Sequence, residues 1–308
     1  MRLGVLDVGS NTVHLLVVDA HRGAHPWPAY SEKSVLRLAE RIGRDGRLSN
    51  EAADELVTAV GSATTAVTAH GATELLAFAT SAVRDATNSN KVLARVRNET
   101  GVNLQMLTGD DEAKLTFLAV RRWFGWSAGR LLALDIGGGS LEIAAGYDEE
   151  PELALSLALG AGRLTRERFT ADPPPASDVA ALVSYVDSVL KEVPDIACDR
   201  AAATSKTFRT LARLAGAAPS AAGFRTPRTL TRTGLHQVLG FISRIPSAAL
   251  GEMDGVNAAR ARQLLAGAVV AEATMRRLGL DHVDICPWAL REGVILERLD
   301  ALPADGSD

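Results

Sequence analysis

Residues 132–143 read LALDIGGGSLEI: an apolar run ends in Asp135, three glycines follow, and a second run opens after Ser140 and carries Glu142. Such a pattern is a strand delivering a carboxylate to its tip, then a turn, then a returning strand. A turn made of Gly137, Gly138 and Gly139 has almost no side chains, so its backbone N–H groups can approach a phosphate closely. Glycine also serves ordinary hairpin turns for steric reasons alone. A second copy narrows the choice. Residues 3–18 read LGVLDVGSNTVHLLVV, and a shift of 128 lays Asp7 on Asp135, Gly9 on Gly137, Thr12 on Ser140 and Leu15 on Ile143. Two strand–Asp–turn–strand units predict two related half-molecules, each offering one phosphate loop to a shared cleft.

The length of 308 residues suits two domains of about 150 residues each. A net charge of −4 excludes binding of nucleic acid or of an anionic membrane by bulk charge, so a polyanionic ligand has to be met by a local basic patch or by a metal. Cys198 and Cys286 build no disulfide framework and no CxxC occurs; they read as small buried apolar residues. The start MRLGVLDVGSN meets Asp7 too early for a signal or transit peptide. No apolar run approaches the roughly 20 residues that span a bilayer. The expectation is a cytoplasmic protein.

Along the chain, the first copy is a hairpin about Gly9, Ser10 and Asn11. Asp7 at its tip is either a turn cap or, by its match to Asp135, a functional group, and the match favours function. His14 falls where the second copy has Glu142 and reads as structural. Residues 33–42 read as a strand or strand–loop, Ser49 as the N-cap of a long helix ending at Gly71, and residues 75–79 as a short buried strand. That strand is followed by Thr80, Ser81, Arg84 and Asn88, in the kind of loop where α/β proteins place ligand groups. On residues alone, Arg84 suits a surface ion pair equally well. A helix over residues 90–100 and an edge strand over 102–107 follow. Asp110, Asp111 and Glu112 then open a helix, where capping and the helix dipole account for all three.

In the second half, residues 153–159 read as a strand. The segment GAGRLTRERF gathers Arg163, Arg166 and Arg168, as an anion site or as scattered surface arginines. Pro173, Pro174 and Pro175 mark a loop. Residues 177–193 read as a helix, 200–204 as a strand entering another helix, 258–278 as a long buried helix, 283–286 as a strand and 290–299 as a final helix.

DVGSNTVHLL, TSAVRDATN, TGDDEA, LDIGGGSLE and LREG, in this order and spacing, resemble the exopolyphosphatase/guanosine-pentaphosphate phosphatase (Ppx/GppA) family of the actin/Hsp70/sugar-kinase superfamily. LALGAGRLTRERF, ATSKTFRTLARLAGAAPS and VDICPWALREG are similar to the short actinobacterial exopolyphosphatases. The resemblance implies an α/β fold of two ribonuclease-H-like domains around a central cleft, residues 1–124 and 127–289, with 290–308 packing back on the first. It implies a first phosphate loop of Asp7, Gly9, Ser10, Asn11 and Thr12 and a second of Gly137, Gly138, Gly139 and Ser140. Arg84 becomes a phosphate contact, Glu112 the catalytic carboxylate, and Asp135 with Glu142 a hard-oxygen site for Mg²⁺. The implied reaction is Mg²⁺-dependent release of terminal phosphate from inorganic polyphosphate, with pppGpp hydrolysis as the alternative. A homodimer without nucleic-acid or membrane partner is expected.

One departure stands out. Many relatives carry a Gly-rich loop where this chain has Ala203, Thr204, Ser205, Lys206 and Thr207. In the wider superfamily that loop lies beside the adenosine of a nucleotide; a lysine there suits extra phosphates better than a base. The chain also lacks the added helical domains of longer members, which implies a preference for short polymers.

Overall fold

The computed structural model describes the chain except residues 22, 24, 25, 44 and 303–308. It divides into two compact units, Met1–Leu115 together with the chain from Leu290 on, and Thr116–Ala289.

The first unit opens with β1 (Arg2–Val8), β2 (Thr12–Asp19) and β3 (Pro28–Val35). Then come α1 (Asn50–Ala69), β4 (Glu74–Ala79), the single turn α2 (Ser81–Arg84), α3 (Ser89–Thr100), β5 (Gln105–Met106) and α4 (Gly109–Phe124). Its sheet has the order β3-β2-β1-β4-β5, antiparallel on the β3 side of β1 and parallel on the β4 side. Alternation along β1 feeds two cores, as the two faces of a pleated strand must. Leu6 and Val8 pack with the helices α1 and α3, while Leu3 and Val5 join Val294, Ile295 and Leu299 from the end of the chain.

The second unit repeats the scheme. It contains β6 (Leu131–Ile136), β7 (Leu141–Gly146), β8 (Leu153–Leu157), α5 (Ala161–Arg168), α6 (Ala176–Leu190), β9 (Arg200–Thr204) and α7 (Ser205–Leu214). They are followed by β10 (Thr229–Thr231), α8 (Arg232–Ile242), α9 (Ser247–Gly251), α10 (Leu264–Arg277) and β11 (His282–Ile285). The order is β10-β11-β9-β6-β7-β8, so β8-β7-β6-β9-β11 has the connectivity of the first sheet with one strand added at the edge. The last helix, α11 (Leu290–Asp300), belongs to the first unit. The expected α/β class with two ribonuclease-H-like sheets is what the chain forms. Among the described residues no helix is long and apolar enough to cross a membrane.

Local signals explain most boundaries. Ser49 caps α1 by accepting from the Ala52 N–H at 3.2 Å, and Gly101 ends α3 at φ 73°, a conformation that costs glycine least. Within the second unit Arg121, fully buried, donates to the carbonyls of Gly129 and Gly146 at 2.9 and 2.8 Å, tying the end of α4 to the end of β7. Burial pushes its pKa down, against the pull of Asp148 and Glu149.

Three expectations need correction. The strand or strand–loop expected over 33–42 is strand only to Val35 and begins upstream, at Pro28, because this edge strand alternates only between half-buried and exposed positions and carries Ser, Glu and Lys. The edge strand expected over 102–107 is regular only at Gln105–Met106. The helix expected over 258–278 is a 3₁₀ segment, Ala258–Gln263, started by the Asn257 side chain accepting from Ala259 N–H, and then α10.

Candidate functional site

The two hairpin tips are built alike. Gly9 N–H donates to the Thr12 carbonyl at 3.0 Å and Gly137 N–H to the Ser140 carbonyl at 2.9 Å. Asp7 pairs in register with His14, and Asp135 with Glu142. The shift read in the sequence is thus also a shift in hydrogen-bond register.

In the second loop every glycine carbonyl is taken by the start of α5. Gly137 O accepts from Ala161 N–H at 3.0 Å, Gly138 O from Arg163 N–H at 2.9 Å, and Gly139 O from Arg163 Nε at 2.9 Å. Across a trans peptide the C=O and the next N–H point in opposite directions. With the carbonyls of Gly137, Gly138 and Gly139 turned to α5, the N–H groups of Gly138, Gly139 and Ser140 face the other way, as an anion-binding nest requires. The first loop follows the same logic: Ser10 O accepts from Ala39 N–H and Asn11 O from Leu36 and Arg37 N–H, all at 3.0 Å. Ser10 Oγ meets Ser81 Oγ at 3.1 Å, linking the loop to the turn after β4.

This packing depends on Gly160, which the sequence reading passed over. A Cβ there would lie 2.2 Å from Gly139 C and 2.3 Å from Ser140 N, both backbone atoms of the loop. Gly160→Ala must therefore displace the loop, and a misplacement on the ångström scale costs about 10²-fold in rate. Gly240→Ala in α8 meets nothing within 4 Å and serves as the control. Phosphate release by both variants, beside their melting temperatures, checks the expectation.

Asp135 and Glu142 face each other across β6 and β7, so their side chains share one face of the sheet. Glu142 is 5% exposed and accepts from Ser156 Oγ at 3.0 Å. Like charges directly opposite on a sheet are destabilising, and a cation between them removes the conflict. Among the described residues no cluster of three or more His, Cys, Asp or Glu is poised to hold a metal. A pair of carboxylates fits a hard divalent ion that keeps its waters and takes phosphate oxygens; the set lacks the thiolate or imidazole ligands of a structural zinc site.

In the first unit, α4 separates the three acids that the sequence could not separate. Thr108 and Asp111 cap each other: Thr108 N–H and Oγ1 reach Asp111 Oδ2 at 3.1 and 2.6 Å, and Asp111 N–H reaches Thr108 Oγ1 at 3.1 Å. Asp110 and Asp111 are exposed, whereas Glu112 is 7% exposed. Capping therefore holds for Asp111 and fails for Glu112, one helical step further round. Arg84, at the end of α2, donates through Nη1 to Glu112 and to the Leu107 carbonyl, and through Nε to Asp85. Burial lowers the Arg84 pKa, but the charges and hydrogen bonds of Glu112 and Asp85 outweigh it and hold it above its ordinary value.

Arg291, at the start of α11, received no role from the sequence. Its Nε lies 3.7 Å from Asp7 Oδ2 and its Nη1 3.3 Å from His14 Nε2, which in turn meets Ser31 Oγ at 2.8 Å. The first loop's carboxylate has a fixed guanidinium where the second faces another carboxylate. The LREG motif and the position of His14 opposite Asp7 were the signals available.

Other candidates have structural work. Asn88 accepts from Leu48 N–H and donates to Leu48 O, at 2.9 and 3.0 Å. Arg163 holds the second loop, Arg166 pairs with Glu167 at 3.0 Å, and Arg168 stacks 3.8 Å over the Tyr185 ring. The three arginines perform three tasks.

The profile of the Ppx/GppA phosphatase family matches residues 17–302. The chain is 60% identical to Exopolyphosphatase 1 of Mycobacterium tuberculosis, over 100% of this chain and 90% of that protein. Its fold is similar to that of an exopolyphosphatase from Cytophaga hutchinsonii, with a TM-score of 0.84, 24% identity, and 98% and 99% of the two chains covered. A Ppx/GppA family member from Aquifex aeolicus matches with a TM-score of 0.81, 24% identity and 97% of each chain.

Proposed function

The chain belongs to the Ppx/GppA phosphatase family, and we propose that it is an exopolyphosphatase that hydrolyses the terminal phosphate from short inorganic polyphosphate. Water oxygen bonds to the terminal phosphorus, the P–O–P bond breaks, and the electron pair leaves on the shortened chain. The single observation that carries this reading is the duplicated loop, with the same backbone hydrogen bond in both copies and an acid at each tip.

Phosphoryl transfer asks a protein for positioning and charge neutralisation more than for covalent chemistry. Asn11, Thr12, Gly138, Gly139 and Ser140 supply backbone N–H groups to phosphate oxygens, with Asp7, Gly9, Ser10 and Gly137 shaping the two turns. Arg84 spends Nε and Nη1 on protein acceptors, and Nη2 is the donor it offers to phosphate. Asp135 and Glu142 would hold Mg²⁺, which when bound would supply positive charge to offset that of the phosphoryl group. Glu112, oriented by Arg84, aligns the attacking water and takes its proton. The same reading places the protein in the cytoplasm as a homodimer, the latter checked by light scattering.

Phosphate release from short polyphosphate and from pppGpp, measured side by side, tests the assignment. A higher kcat/KM on polyphosphate is expected. A higher value on pppGpp would replace the reading with the sister activity.

A further inference from the structure

The duplicated hairpins carry two rows of side chains that can be compared strand by strand. Residues directly opposite on neighbouring strands share a face of the sheet. In the second unit the row runs Asp135, Glu142 and Ser156 across β6, β7 and β8. In the first it runs Asp7, His14 and Lys33 across β1, β2 and β3. An imidazole takes the position of the second acid, and an ammonium group that of the hydroxyl. One row gathers two acids with no cation in the row; the other holds a cation of its own.

Arg291 adds another, and its placement is specific. Its Nε lies 3.7 Å from Asp7 Oδ2 and its Nη1 3.3 Å from His14 Nε2, so one guanidinium bridges the two. Arginine has donors only and stays charged, so the His14 nitrogen that faces it carries no proton. The Ser31 hydroxyl, 2.8 Å from the same nitrogen, then meets it as a donor. His14 is therefore neutral, is 6% exposed, and turns a lone pair toward the guanidinium. A carboxylate oxygen and a neutral imidazole nitrogen are ordinary ligands of divalent metals. The guanidinium stands between them, in the place of such an ion.

The helix that brings Arg291 is held at several points. Val294, Ile295 and Leu299 pack with Leu3 and Val5 of β1, and Arg298 grips Glu74 through Nε and Nη2 at 2.8 and 2.9 Å. A Cβ on Gly293 would run into the Leu115 carbonyl, so α11 starts against the backbone of α4. The side chains of Arg291 and Asp7 are only 22% and 23% exposed. The charge is fixed by the fold.

We propose that Arg291 is the built-in cation of the first loop: it orients Asp7 and bars divalent ions from Asp7 and His14, so that each chain holds a single divalent ion, on the second loop. The inference rests on the reading of Asp135 and Glu142 as the Mg²⁺ site, and adds that the two copies have diverged in how they offset charge. A phosphate arriving at the first loop meets a carboxylate already neutralised, with no ion to recruit.

The test counts ions, which requires no turnover. Mn²⁺ is the probe, since electron paramagnetic resonance separates free from bound ion, and melting temperatures report folding. Wild type should hold one Mn²⁺ per chain, as should Arg291→Lys, which keeps the charge. Arg291→Ala should hold two, and Asp7→Asn/Arg291→Ala should return to one, which locates the gained ion at Asp7. An Arg291→Ala that holds no more ions than wild type would overturn the proposal, as would a second ion in Arg291→Lys or a gained ion that survives in the double variant. Should Arg291→Ala fail to fold, Asp7→Asn alone decides: the wild-type count should persist, and its loss would place the ion on the first loop and overturn the proposal. A wild type that holds no Mn²⁺ would sink the metal reading of Asp135 and Glu142, while an ion gained by Arg291→Ala would still carry the role of Arg291.

Discussion

Glu112→Gln is expected to slow phosphate release from short polyphosphate by roughly 10²–10⁴-fold, the usual cost of losing a placed general base or water-orienter. Glutamine keeps an oxygen for Arg84 Nη1 to reach, so the fold should survive and KM should move little. Asp111→Asn is the informative neighbour. Asp111 is exposed and engaged with Thr108; asparagine keeps an accepting oxygen and removes only a charge that the helix N-terminus favours, so the substitution should cost roughly 0.3–1 kcal/mol of stability and leave the rate near wild type. Adjacent acids in one helical turn are thus predicted to give opposite phenotypes. Equal rates for both variants would remove Glu112 from the mechanism.

The second large effect concerns the carboxylates that face each other on β6 and β7. Chelation should abolish phosphate release and Mg²⁺ should restore it, while Asp135→Asn should reduce the rate at least about 10²-fold at any Mg²⁺ level. The stability readout has an opposite sign. With Mg²⁺ chelated, Asp135→Asn relieves the repulsion from Glu142, which should raise stability by roughly 0.2–1 kcal/mol. Mg²⁺ should raise the melting temperature of wild type, because an ion that binds only the native state stabilises it. In Asp135→Asn that rise should be largely lost. A Mg²⁺-dependent rise of equal size in the variant would place the ion elsewhere.

The sheets and both loops were legible because they are local: Asp7 to Leu15 and Asp135 to Ile143 carry their own turns, registers and side-chain alternation. Edge strands were less so, since β3 buries neither face fully and its pattern stays weak. What escaped the sequence acts through space from far along the chain. Gly160 matters only because α5 starts against the Gly139–Ser140 backbone, and Arg291 only because α11 returns to β1 and β2. The three acids at 110–112 could not be sorted on charge alone; the Thr108–Asp111 cap and the burial of Glu112 separate them. Lys206 was visible as a departure, yet the pocket that it lines with Arg260 and Gln263 needs α7 and the 258–263 turn together.

The central claim, removal of phosphate from chain ends, is tested most directly by following a short polyphosphate by ³¹P NMR as the protein acts on it with Mg²⁺ present. The account predicts that the orthophosphate resonance grows from the first minutes while terminal phosphates keep a constant number of chains and internal phosphates decline. Growth of terminal signals ahead of orthophosphate, or an unchanged polymer beside rapid pppGpp hydrolysis, would contradict it.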